Sequence, residues 1–178
     1  MLNKQSIKKV IVIGCPGSGK TTFAEKLSEI TKLPLYYLDA IWHKPDKTHI
    51  PREEFDDRIE EIFKESEWII DGNYKRTIER RLQQCDTVFL FDLPTEVCLQ
   101  GVKDRIGKER YDLPWLETEL DPEFRKFIED FPKDTLPYIY NLLGEYRDKM
   151  NVIIFRSREE ADEYLNNLYN VKNLTTSL

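Results

Sequence analysis

The chain has 178 residues, 34% charged and 40% hydrophobic, and a net charge of −6. One domain of this length buries roughly 70% of its unfolded surface, and the acidic balance argues against a general nucleic-acid coat. The first apolar run, 10–13, is too short for a secretory core or a membrane span, and three cysteines without metal-ligand spacing (Cys15, Cys85, Cys98) predict a reducing, cytoplasmic setting.

Residues 1–8 read as a polar lead-in. The run 9–13 predicts a buried strand, and Gly14-Cys15-Pro16-Gly17-Ser18-Gly19-Lys20-Thr21-Thr22 follows it directly. Gly14 and Gly19 stand five apart with Lys20 and Thr21 next, the G-x-x-x-x-G-K-[ST] spacing of a phosphate-binding loop. Its glycines let successive N–H groups turn into one concavity. The helix predicted over 19–31, with Phe23, Leu27 and Ile30 on one face, adds its positive N-terminal end. Gly14, Pro16, Gly17, Ser18, Gly19, Lys20, Thr21 and Thr22 are therefore the candidate nucleotide cradle. Lys20 would reach the β- and γ-phosphates, and the Thr21 hydroxyl would ligate Mg²⁺.

A second apolar run, 33–39, ends in Asp39, and 42–47 reads as loop. Pro51 starts a helix whose apolar face (Phe55, Ile59, Ile62, Phe63) reaches about residue 64. The run 68–72 is a third strand pattern, again ending in an acid, Asp71; Asn73 and Tyr74 turn the chain into a basic helix over 75–84. A fourth strand over 87–91 ends at Asp92, and a helix over 95–106 follows. The charged stretch 107–122, with two prolines and weak periodicity, reads as a mobile excursion. A long helical region over 123–146 carries Pro132 and Pro137, a fifth strand spans 151–155, and a last helix spans 158–168 before a frayed tail at 171–178.

Five short apolar strands alternating with helices predict an α/β fold: a five-stranded parallel sheet covered on both faces, in a single domain over 1–178. Ligands bind beyond the carboxyl ends of such strands. That rule gathers the loop, Asp39, Asp71, Asp92 and the turn Arg156-Ser157-Arg158 on one edge.

At this point the chain resembles the P-loop nucleoside and nucleotide kinases of the adenylate-kinase-like superfamily. More narrowly it is similar to FlaR-like proteins described as DNA topology modulation proteins. The residues that carry this are the loop 14–22, Leu38-Asp39-Ala40-Ile41-Trp42, Trp68-Ile69-Ile70-Asp71-Gly72-Asn73-Tyr74, Phe91-Asp92-Leu93-Pro94 and Phe155-Arg156-Ser157-Arg158-Glu159, across roughly residues 9–170. The resemblance implies a three-layer P-loop NTPase fold with a small lid at about 107–122. It also implies ATP and Mg²⁺ as cofactors and transfer of the γ-phosphoryl group to a small acceptor, nucleosides and nucleotides among the candidates. The alternative is an ATP-binding regulator with little turnover.

On that resemblance Asp71 would stand opposite Thr21 on the Mg²⁺ side. Asp39 is similar to the strand-2 acid of small-metabolite kinases such as shikimate kinase; it reads either as the base at the acceptor hydroxyl or as a cap on the following helix. Asp92 is either a second acid on the metal side or a turn residue. Arg76 and Arg80 share a helix face that, on the superfamily pattern, borders the acceptor site. Arg105, Lys108 and Arg110 would bring positive charge over the transferring group when a lid closes. The lid lacks the four metal ligands of zinc-bearing lids. Arg158 either touches the adenine or lies on the surface.

Overall fold

The computed structural model describes residues 7–176. The chain runs β1 (Lys9–Gly14), α1 (Lys20–Thr31), β2 (Leu35–Tyr37), α2 (Leu38–Trp42), α3 (Arg52–Phe63), β3 (Trp68–Asp71), α4 (Lys75–Leu82), β4 (Thr87–Phe91), α5 (Thr95–Arg105), α6 (Pro122–Asp134), α7 (Leu136–Tyr146), β5 (Asn151–Phe155) and α8 (Arg158–Thr176). The strands form one parallel sheet in the order β2-β3-β1-β4-β5.

The three central strands are continuously apolar, because a parallel sheet covered by helices buries both faces. Val10, Ile11, Val12, Ile13, Ile69, Ile70, Val88, Phe89 and Leu90 have no exposed surface. The β1-to-β2 crossover runs one way along the sheet and the later crossovers run the other way, so right-handed connections place their helices on opposite faces. Accordingly α1 packs with α8, while α5, α6 and α7 pack together and α4 joins α7. Phe23 of α1 sits within 4.8–5.3 Å of the rings of Phe89, Phe91 and Phe155, which fastens the helix behind the glycine loop to the sheet.

The crossovers that leave β1 and its neighbour β3 run to opposite faces. Their carboxyl ends therefore flank the switch point of the sheet, where α/β proteins bind ligands.

Several boundaries differ from the sequence reading. The acid at the end of the second run lies in a short helix, because Leu38 turns into the core against Gly72. The region 123–146 breaks at Thr135, because Pro137 in the first turn of α7 has no N–H to continue the ladder. The last helix continues through Thr176 instead of fraying from 171. Lys172 Nζ reaches the open carbonyls of Ile30 and Thr31 at the end of α1, both at 3.3 Å. Most of the expected lead-in (1–6) and the end of the expected tail (177–178) lie outside the described residues. Among the described residues no helix is long and apolar enough to cross a membrane.

Candidate active site

The loop after β1 is held from three sides. From β3, Asn73 pairs with Gly14 in both directions: Gly14 N–H donates to Asn73 Oδ1 at 2.9 Å, and Asn73 Nδ2 donates to the Gly14 carbonyl at 2.6 Å. From α5, the backbone approaches so closely that a Cβ on Gly17 (φ 78°) would meet the Cys98 carbonyl at 2.1 Å, and one on Gly101 would meet the Gly17 carbonyl at 2.0 Å. From α8, Arg158 donates to the Gly17 carbonyl at 2.8 Å and to the Ser18 carbonyl at 3.4 Å. The loop is thus preformed.

Inside it, Lys20 Nζ donates to the Cys15 carbonyl at 2.9 Å, and Thr21 Oγ1 donates to Asp71 Oδ2 at 2.6 Å. Burial lowers the Lys20 ammonium from its ordinary pKa, against the pull of Asp71. Burial raises the Asp71 carboxyl to about 6, against the pull of Lys20 and the Thr21 hydroxyl.

Asp71 Oδ1 and Ser18 Oγ are buried with no hydrogen-bond partner. An orphaned carboxylate oxygen beside a hydroxyl and facing a phosphate loop fits Mg²⁺, which binds through one or two protein groups plus phosphate oxygens. Among the described residues no group of three or more His, Cys, Asp or Glu could hold a metal alone. Thr21 and Asp71 are the side chains that could hold the ion alongside a nucleotide.

Pro16, Gly17, Gly19, Lys20, Thr21 and Thr22 line a cavity of about 770 Å³, which Arg158 and Asp71 also border. Gly14 and Ser18 sit behind that surface, the first clamped by Asn73, the second fully buried.

Asp39 lines this cavity and also a second one of about 470 Å³. Its Oδ1 accepts the Tyr74 hydroxyl at 2.8 Å, and none of its hydrogen bonds caps α2. Tyr74 is held at φ 39°, an uncommon conformation for a bulky residue. Burial and the nearby Asp39 carboxylate raise its phenol well above the ordinary range.

Arg105 and Arg110 also line both cavities. They project from the segment 105–117, and both are paired within it. Arg105 Nε lies 3.1 Å from Glu117 Oε2; Arg110 donates from Nη1 to Glu117 at 2.7 Å and forks onto Asp112.

Arg76 is elsewhere. It is exposed, lines neither cavity, and forks onto Asp56 of α3 with two bonds of 2.7 Å; Arg80 pairs with Glu60. Asp56 and Glu60 are themselves four apart, so the shared basic face of α4 meets an acidic face of α3 instead of the site. Asp92 accepts from Tyr140 at 2.6 Å and pairs with Arg156, which places it at a strand-end contact away from both cavities.

The sequence reading missed Arg81. It is fully buried in α4, lowered by burial to about 10, and donates to the carbonyls of Gly72 (2.7 Å) and Asn73. It fixes the turn that presents Asn73 and Tyr74. The available signal was its place among Thr77, Ile78 and Leu82 on the buried side of that helix.

With this geometry in view, the comparisons are consistent. The adenylate kinases of Thermotoga petrophila and Thermotoga maritima are each 31% identical to the chain over 85 residues, 47% of this chain and 38% of theirs. The match thus spans well under half the length of those relatives. No family model matches. Among solved structures, shikimate kinase from Acinetobacter baumannii in complex with shikimate superposes with a TM-score of 0.58 at 18% identity, covering 94% of this chain and 96% of that one. A gluconokinase from Sinorhizobium meliloti 1021 superposes with a TM-score of 0.53 at 13% identity, covering 98% and 99%. The chain has the P-loop kinase fold.

Proposed function

We propose that the chain is an ATP- and Mg²⁺-dependent phosphotransferase that moves the γ-phosphoryl group to a hydroxyl of a small acceptor. One observation carries this reading: Asp39 lines both the loop cavity and the second cavity, so a carboxylate borders both. A nucleotide-binding regulator has no use for it.

Phosphoryl transfer needs positioning and charge neutralisation more than covalent chemistry. The loop N–H groups and Lys20 would bind the donor phosphates. Thr21 and Asp71 would hold Mg²⁺, which when bound neutralises developing charge on the phosphate oxygens. Asp39, oriented by Tyr74, would accept the proton of the acceptor hydroxyl. Arg105 at the end of α5 and Arg110 in the lid at about 107–122 would face the phosphoryl group in flight. Arg158 would support the loop from behind.

The site motifs at 38–40 and 71–74 support placing the chain with the FlaR-like proteins. Three buried free thiols fit a reducing cytoplasm. The test is ADP formation from Mg-ATP over a panel of hydroxylated acceptors, with Lys20→Ala as control. Stimulation by one acceptor, lost in the variant, supports the kinase; ATP binding with no stimulated turnover overturns it.

A further inference from the structure

The lid arginines are the cations best placed to receive an anionic acceptor, and they are already neutralised. Arg105 and Arg110 share Glu117, and Arg110 also forks onto Asp112. The network is shielded: the Arg110 side chain is 17% exposed and that of Asp112 is 4%. The helix basic face that could have offered a substitute, Arg76 and Arg80, points at α3 and is spent on Asp56 and Glu60.

The second cavity bears this out in its own lining. Its three cations, Lys47, Arg105 and Arg110, stand against four carboxylates, Asp39, Glu117, Glu119 and Asp121. His43 adds no charge near neutrality, because burial lowers its pKa. A phosphate or carboxylate entering here would add negative charge to a lining that already has an excess of it, at a Coulombic cost that grows as water leaves. The remaining walls mix rings (Trp115, His43, Phe124) with Leu113, Leu116 and Thr118. Trp115 and His43 meet edge to face at 4.9 Å between ring centroids, and Phe124 sits beneath the Arg105 guanidinium at 5.7 Å.

We infer that the acceptor cavity selects an uncharged, hydroxyl-bearing molecule with a planar ring, such as a nucleoside, and rejects phosphorylated and carboxylated acceptors. This rests on the kinase reading for the meaning of "acceptor", but the charge preference is a property of the cavity. The ring packs against Trp115 and His43, and the hydroxyl points to Asp39. Glu117 and Asp112 act as specificity residues that cancel the arginines.

The experiment measures binding and turnover separately, on the full chain with a non-hydrolysable ATP analogue and Mg²⁺ for binding. The probes are nucleosides, their monophosphates, neutral sugars, and shikimate and gluconate as carboxylates. The expected result is tighter binding of a nucleoside than of its monophosphate or either carboxylate, by about tenfold or more. Preference for a monophosphate, a carboxylate or a ringless sugar overturns the inference while leaving the kinase reading intact. Nucleoside binding without turnover in any acceptor leaves the cavity preference standing and removes the kinase reading.

Glu117→Gln supplies a second arm. Freeing the arginines should raise the ratio of monophosphate to nucleoside affinity about tenfold. An equal loss for both probes overturns the neutralisation argument. Asp112→Asn repeats the arm if Glu117→Gln loses its native circular dichroism.

Discussion

Asn73 and Gly14 exchange two hydrogen bonds, 2.9 Å and 2.6 Å, across the gap between the ends of β3 and β1. Through this pair the strand that carries Asp71 is locked to the first residue of the phosphate loop. The geometry of the metal-side pair Thr21–Asp71 therefore depends on a side chain that touches neither. Asn73→Ala leaves both Gly14 backbone groups unpartnered, a cost of about 1–3 kcal/mol. At ~2–4 °C per kcal/mol for a domain of this size, the expected fall in Tm is about 2–12 °C. Mg-ATP affinity should fall with it. A thermal melt with and without Mg-ATP checks both; an unchanged melt contradicts the coupling.

Asp71 makes the site sensitive to pH. Its folded carboxyl titrates near 6, above the ordinary value of 3.8. The folded state therefore holds a proton more tightly than the unfolded chain. This contribution to stability is present at low pH and is lost as pH rises from about 4 to about 6. At ~1.4 kcal/mol per pH unit the window is worth up to about 3 kcal/mol. The wild type should lose stability relative to Asp71→Asn across it. Denaturant midpoints of both proteins at pH 4 and pH 7 measure the difference; a gap that widens in favour of the wild type contradicts the assignment. Stabilisation by Mg-ATP should also weaken below pH 6, where Asp71 takes up its proton.

Gly101 is the point where α5 touches the loop. A methyl there meets the Gly17 carbonyl at 2.0 Å and the Arg158 guanidinium at 2.5 Å, so the loop must shift. Gly101→Ala should cost about 1–3 kcal/mol and weaken ATP binding at least about tenfold. Gly144 on α7 has open space around the same methyl, and Gly144→Ala should stabilise by about 0.5–1 kcal/mol. Isothermal titration with ATP on the two variants tests the contrast; similar ATP affinities would contradict it.

Much of this was legible in the sequence because it is local. Five apolar runs gave the five strands, those of β1, β3 and β4 ending at Gly14, Asp71 and Asp92, and the glycine spacing gave the loop. The edge rule brought Asp39 and Asp71 to the loop from far away in sequence. What stayed hidden depends on which face of an element meets which neighbour. The spacing of Arg76 and Arg80 correctly put them on one side of α4, but not that this side meets Asp56 and Glu60. Arg81 looked like one more basic residue, although it is the buried one. In the lid, weak periodicity concealed a closed network of two arginines and two carboxylates, set by tertiary pairing.

The most direct test of the central claim is Asp39→Asn, assayed for acceptor-stimulated ADP formation and for ATP binding in the same preparation. Loss of a positioned general base costs about 10²–10⁴-fold. The account predicts a fall of that size in stimulated turnover, with ATP affinity within about threefold of wild type. Retained turnover, or an equal loss of turnover and ATP binding, would contradict it.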